Sequence, residues 1–378
     1  LNSGSSWTTI DSWNTSLGET IYSSGSIPAL ENQASVHFRW LYVHAGDGGG
    51  FGNNRVRYYA FDNLSISFSD VSSQENFNNL TVNPSAGRTI YLPASELFVY
   101  GNLIAENDGT VLFNDSKSTN ATVFGDIDIT NSGTLQFPNN YAHTLNTYGT
   151  VTIDNGATLD VSTAGTAVAN TINVYGDMVN NGTIDLTDGT RYADTYFISD
   201  AEQTLSGTGA TTDFNRVYVD KGSGQDLLLN VTSSNFTINT AIAQALTITN
   251  GTALFNGPTS TISTDTEFSL PETGCLSVAG GAVTLGSSDD ANAILTLAGK
   301  VEVSGGTLNI GTSGNTNPNN IVIAGGGAPE IEVSGGTLNV FGQVRRSLTS
   351  TAGSLVFTQS NGDIYIYGQG RDNTRAPV

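Results

Sequence analysis

Residues 301–311 read VEVSGGTLNIG, and residues 331–342 read IEVSGGTLNVFG. The two segments differ by exchanges of one aliphatic for another and by one added Phe. An active site needs its residues once, whereas a unit unable to bury its own apolar face needs neighbours like itself. Repetition this close therefore points to a stacked array.

Shorter echoes extend the array. After a Gly- or Asn-rich turn come DGTVLF (108–113), SGTLQF (132–137), GATLDV (156–161) and NGTIDL (181–186), then GGAVTLG (280–286) and AGSLVF (352–357). Val111, Leu135, Leu159 and Ile184 in these segments are 24, 24 and 25 residues apart. A second marker, aromatic-Gly-x-aliphatic, runs in step as VYGNL (99–103), VFGDI (123–127), TYGTV (147–151) and VYGDM (174–178), and again as VFGQV (340–344). Two markers holding one period make a structural repeat the simplest reading, with a degenerate stretch at roughly 190–250.

Within each unit apolar and polar residues alternate. Val301, Val303, Leu308 and Ile310 face one way, and Glu302, Thr307 and Asn309 the other, as a half-buried strand pair around a Gly-Gly turn. Helical spacing fails almost everywhere. A period near 24 is too short for a propeller blade and fits one coil of a parallel β-helix with three short strands. The fold class is therefore all-β. Residues 71–378 form a parallel β-helix of about a dozen coils, read as right-handed. Residues 1–70 lack the period, hold all three Trp (Trp7, Trp13, Trp40), and read as the C-terminal part of a jelly-roll-like β-sandwich. The polar stretch 69–79 marks the boundary.

Composition removes several functions. The chain has 378 residues, a net charge of −21, and only 13 Lys and Arg. Such a chain lacks the basic track that neutralises phosphates, so nucleic acid is not an expected partner. No apolar run reaches the eighteen residues of a membrane span. Cys275 is the only Cys, so no intrachain disulfide framework exists. The chain opens at Leu1 with no charged-then-apolar leader, which reads as an internal piece of a longer protein.

The segments FNNLTVNPSAGRTIYLPASELFVYGNLIAENDGTVLFND (77–115) and VFGDIDITNSGTLQF (123–137) resemble repeat regions of giant secreted surface proteins of Bacteroidota. FDNLSIS (61–67) is similar to the closing strand of the jelly-roll sandwiches that precede such arrays. The resemblance implies export by the gliding-associated type IX route, an extracellular cell-surface location, and an adhesive or appendage role. It also implies filament neighbours or a homo-oligomer, and a cell-surface or polysaccharide target.

Parallel β-helices also house polysaccharide lyases and hydrolases, a role that requires paired carboxylates with a nearby His, Lys or Arg. Asp126 and Asp128 share a face two residues apart, whereas the adjacent Asp289 and Asp290 point to opposite faces. The three His are scattered and the three Lys (Lys117, Lys221, Lys300) isolated, and solvated outer positions explain these carboxylates more simply. No catalytic residue is assigned and no cofactor is expected beyond calcium. The calcium candidates are Asp47, in HAGDGGGFGNN, and Asp62, beside Asn63, through hard oxygen ligands. The bland reading makes Asp47 part of a Gly loop and Asp62 a turn residue. Glu302 and Glu332 occupy matching positions, and stacked about 4.8 Å apart in water they repel by only about 0.9 kcal/mol, so no ion is required. Thr110, Thr134, Thr158, Thr183, Thr307 and Thr337 recur once per coil. Ice binding needs a second Thr rank, absent here, so an outward β-favouring ladder is the better account.

The sequence thus leads to a rigid structural or adhesive segment of an extracellular filament. The rivals are a carbohydrate-active β-helix enzyme, which requires one outer groove with two carboxylates and a basic group, and a phage-type fibre, which requires a trimer.

Overall fold

A computed structural model describes residues 74–368, apart from 94–95, 139, 164–165, 167, 189, 239–241, 243, 263–266, 287–293, 314–318 and 347–353. The expected sandwich at 1–70, its boundary at 70/71, and Asp47, Asp62, Asp289 and Asp290 lie outside the described residues.

Among the described residues all regular structure is β-strand. Each coil crosses three faces. One coil places Glu96–Val99 on the first face, Leu103–Ala105 on the second and Thr110–Leu112 on the third. The next coil lays Asn120–Val123, Ile127–Ile129 and Thr134–Phe137 on them, parallel and residue for residue. Followed along the second face, the column that starts at Leu80 reaches Gln359 in eleven steps of 23 to 30 residues. The molecule is a parallel β-solenoid of about eleven turns. With strands about 4.8 Å apart, those steps span roughly 50 Å.

The expected apolar column is present. Val111, Leu135, Leu159 and Ile184 stand opposite one another in successive coils, none more than 1% exposed. Val301, Val303, Leu308 and Ile310 are buried likewise, while Glu302, Thr307 and Asn309 are half-exposed on the outer side. Burial alternates because successive side chains of a strand point to opposite faces, and only one face of each sheet meets the core.

Several readings of the sequence need correction. The SGG segment at 304–306 is a corner between two faces, and Lys300–Val303 and Thr307–Ile310 pair only with other coils. VFGQV lies between the third face and the first, because Val340 ends a third-face strand and Val344 begins a first-face one. The same aromatic-Gly grammar at 99–178 turns from the first face to the second. AGSLVF carries the second-face strand Val356–Gln359, not a third-face strand. Local sequence specifies a sharp corner, but not which corner. The degenerate stretch does not interrupt the stack: Met178, Leu205 and Val231 follow in register at intervals of 27 and 26.

The interior is also not wholly aliphatic. The third-face column passes from Ile184 to Thr212, which is fully buried. Asn180 donates to the Thr212 hydroxyl at 2.9 Å and to the Thr211 carbonyl at 2.7 Å, and Ser233 lies 3.2 Å from the same hydroxyl. Partners within the core offset the desolvation that such groups would otherwise suffer.

Corners fix the spacing between coils. A Cβ on Gly149 would lie 2.4 Å from the carbonyl oxygen of Gly125, and one on Gly125 would lie 2.6 Å from that of Gly101. No other residue allows this approach. It lets the Gly149 and Gly125 amides donate to those carbonyls at 3.2 and 3.0 Å. Beside them runs a side-chain ladder. Asn79 Oδ1 accepts from the Asn102 amide, Asn102 Oδ1 from Asp126, and Asp126 Oδ1 from Thr150, at 2.8–3.0 Å.

At the last described level the alternation stops. Phe357, in register with buried Ile331, is 44% exposed, and Ile366, in register with buried Val340, is 49% exposed. No described coil lies on them.

Candidate functional site

The corner between the first and second faces begins as a three-residue turn. It presents Tyr100, Phe124, Tyr148 and Tyr175 outward in successive coils. Their rings stack with centroids 5.5, 5.2 and 4.4 Å apart and planes within 14°. Stacked rings cover one another's faces, so the ridge shows mainly edges to solvent, and its first effect is to clasp coils together.

Beyond Tyr175 the corner grows. Ile198 is followed by Ser199-Asp200-Ala201-Glu202, and Asp220 by the seven residues Lys221–Leu227. The enlargement leaves a shallow cleft of about 390 Å³, lined by Tyr175, Ile198, Ser199, Asp200, Asp220 and Gly222. Gly222 takes the left-handed conformation, φ +62°, that starts the longer turn. Asp220 is held by Asn250, whose Nδ2 donates to its Oδ1 at 2.6 Å.

Lys221 turns inward and is fully buried. Its Nζ donates to Gln203 Oε1 at 2.7 Å, and Gln203 Nε2 donates to the carbonyls of Val174 and Gly176 at 2.9 and 2.5 Å. Burial pulls the Lys221 ammonium down to about 8, against the opposing pull of Asp177, Glu202 and Asp200. This amine therefore braces the corner from inside. The sequence did not foretell it, because VYVDKGSG reads as a strand ending in a solvated Lys.

The same strands carry further unusual chemistry on their outer side. Tyr196 stands opposite Tyr218, with ring centroids 4.1 Å apart and planes at 3°. Asp194 accepts from Asn215 at 2.6 Å and lies 3.5 Å from Arg216. Burial raises the Asp194 carboxyl, partly opposed by Asn215 and Arg216. Burial, Asp194 and Tyr196 push the Tyr218 phenol up to about 12. Non-repetitive chemistry thus gathers where the repeat is weakest.

The residues weighed from sequence fare differently. Asp126 occupies a corner and caps the Thr150 amide, whereas Asp128 lies on a strand and is raised by burial and by its neighbours Asp126 and Asp154. The first carboxylate is thus committed to holding the next coil. Glu302 and Glu332 do stack, opposite each other in adjacent coils. Lys300, expected to be isolated, stands between them: its Nζ is 2.6 Å from Glu332, 3.7 Å from Glu302 and 3.8 Å from Glu330. Ser277 donates to Glu302 at 2.9 Å. The Thr rank gains Thr89 and Thr211, which extend Thr110, Thr134, Thr158 and Thr183 to six successive coils, while Thr307 and Thr337 pair with each other farther along. Two residues on, Asp160, Asp185 and Asp213 form a carboxylate column, and burial with the neighbouring Asp185 raises Asp160 to about 7. Cys275 is buried, and that burial raises its thiol to about 12, as expected of a packing residue. Among the described residues no group of three or more His, Cys, Asp or Glu side chains is placed to hold a metal ion.

No protein-family model, curated protein or solved structure matches this chain. Among the described residues no helix is long and apolar enough to cross a membrane.

Proposed function

We propose that this chain is a stiff, non-catalytic segment of a large extracellular surface filament or appendage, which holds adhesive modules away from the cell. In this reading the coils wind right-handed, as connections between parallel strands overwhelmingly do. The carrying observation is the unbroken register through eleven steps, with Asn, aromatic and Lys–Glu contacts on the outside serving to join coil to coil. Export by the type IX route of Bacteroidota rests on the resemblance of residues 77–137 and 61–67 to such surface proteins. The even spread of negative charge disfavours lateral clumping of rods.

Pulling the chain between marker domains tests the mechanical role. Coils should leave the stack one at a time, each releasing about 25 residues and thus about 80 Å of chain. Smooth extension without such steps would count against a load-bearing rod. A trimeric native mass would favour a phage-type fibre instead.

One observation favours a second reading. The cleft beside Tyr175 holds two carboxylates, Asp200 and Asp220, near an amine, which is what a carbohydrate-active enzyme would require. Lys221 is sealed inside and bonded to Gln203, and Asp220 is tied to Asn250, so both groups have structural duties. Cleavage of an acidic or neutral polysaccharide that disappears in Asp200→Asn would replace the rod reading with the enzymatic one.

A further inference from the structure

We propose that the cleft at the enlarged corner binds an organic cation on an aliphatic stem: the ammonium or guanidinium end of a lysine- or arginine-like group. The proposal goes beyond the rod reading and does not depend on it.

Charge comes first. Asp200 and Asp220 line the cleft, and the charges of Asp177 and Glu202 also reach the Lys221 ammonium beneath it. That charge is withdrawn: Lys221 is 0% exposed and its Nζ points to Gln203. The open side is therefore left with a surplus of negative charge, which raises the local concentration of cations.

Shape comes second. Carboxylates on a convex surface are satisfied by water, but Asp200 and Asp220 border a concavity that also has an aromatic and an aliphatic wall. The hollow, about 390 Å³ and largely open to solvent, is one against which a charged head and part of its stem can lie without being enclosed. Tyr148 covers one face of Tyr175 at 4.4 Å. In the next coil Val174 stands opposite Phe197, so the residue that follows Tyr175 across the coil step is Ile198, not another ring. The aromatic ladder ends here, and Tyr175 contributes to the cleft wall, where a cation gains from contact with an aromatic ring. Ile198 offers apolar contact for methylenes.

Chemistry comes third. A neutral sugar would gain nothing from the surplus charge. A bare metal ion would need more converging ligands than the described residues provide.

The test uses the full chain and four small probes followed by NMR. N-acetyl-arginine amide and N-acetyl-lysine amide carry the cation, N-acetyl-norleucine amide keeps the stem without charge, and glucose stands for a neutral glycan. Both cationic probes should shift the amides of Ser199, Asp200 and Gly222. Their affinity should fall about fivefold or more between about 20 and about 300 mM NaCl, as screening requires. Asp200→Asn, at an exposed position, should weaken binding by a similar factor, and Tyr175→Ala about threefold. Glu202→Gln, also exposed, is the second variant should Asp200→Asn alter the melting temperature. The proposal is overturned if norleucine amide or glucose binds as well as the cations, if calcium chloride occupies the same amides more tightly, if salt has no effect, or if no cationic probe binds. None of these outcomes bears on the stepwise unfolding that tests the rod.

Discussion

The imidazole of His143 and the carboxyl of Asp160 belong to one coil, and burial pushes them in opposite directions. His143 Nδ1 accepts from the Thr119 amide at 3.0 Å, its own amide donates to Asn170 Oδ1, and its ring leans on Phe113 at 5.5 Å. Nε2 is buried without a partner, so the neutral ring is the stable form, and burial lowers its pKa to about 4. The unfolded chain, with a value near 6.5, takes up the proton first. This stabilising contribution is complete above pH 6.5 and is lost as the pH falls toward 4. Asp160 runs the other way. Raised to about 7, it contributes fully below about pH 3.8 and loses that contribution as the pH rises through 7. Between pH 4 and 6.5 the two slopes oppose each other, each at most about 1.4 kcal/mol per pH unit. Urea unfolding from pH 4.5 to 8 should therefore find Asp160→Asn more stable than the parent at pH 8 and more acid-sensitive below 6.5. His143→Gln, left with the Asp160 slope alone, should gain stability relative to the parent as the pH falls from 6.5 to 4.5. If both variants keep the parental pH profile, neither group titrates as its surroundings require.

At the scale of strands and corners, the aromatic ladder and the glycine contacts join the same coils by different means. Tyr148→Ala removes a ring stacked on both Phe124 and Tyr175. It should cost about 1–2 kcal/mol, with a coupling to Tyr175→Ala of about 0.5–1.5 kcal/mol in a double-mutant cycle. Additive effects would mean that the rings merely lie near each other. Gly149→Ala places a methyl 2.4 Å from the Gly125 carbonyl and should cost about 1–3 kcal/mol, seen as a lowered melting temperature. These elements were largely legible in the sequence. Tyr-Gly and Phe-Gly at fixed intervals announced the period of the coils, and Leu135 and Leu159 announced the column they share. What sequence could not assign was which corner a given Phe-Gly turns, as Phe341-Gly342 shows, because the local geometry is the same at each. Nor could it show Lys221 facing inward, since that orientation depends on Gln203, which lies eighteen residues earlier in the chain and arrives only through stacking.

For the whole molecule, each coil depends on its two neighbours, so damage should travel along the axis. Leu308, fully buried between Val283 and Leu338, is a suitable probe. Leu308→Asp buries a charge with no partner and should cost at least about 3 kcal/mol. Hydrogen exchange should then rise first in the coils paired to it, at Ala282–Leu285 and Thr337–Val340, and fade toward residues 96–137. Uniform loss of protection would indicate one all-or-none unit instead. The period alone was enough to foresee stacked coils of about two dozen residues. The candidate cleft was invisible, because it arises where the period is disturbed and where residues from three separate coils, Tyr175, Asp200 and Asp220, converge.

The one-to-one register also makes length a quantity that can change by whole units. Excising residues 127–150 would bring Asp126 directly before Val151, in the place Ile127 now holds. The two splice sites are equivalent positions one coil apart, so the shortened chain would keep the register of its strands and lose a single storey. A gene coding for such a chain can grow or shrink by slippage between near-identical segments such as 301–311 and 331–342 without producing a misfit. Reach, in a molecule built this way, is open to selection independently of fold.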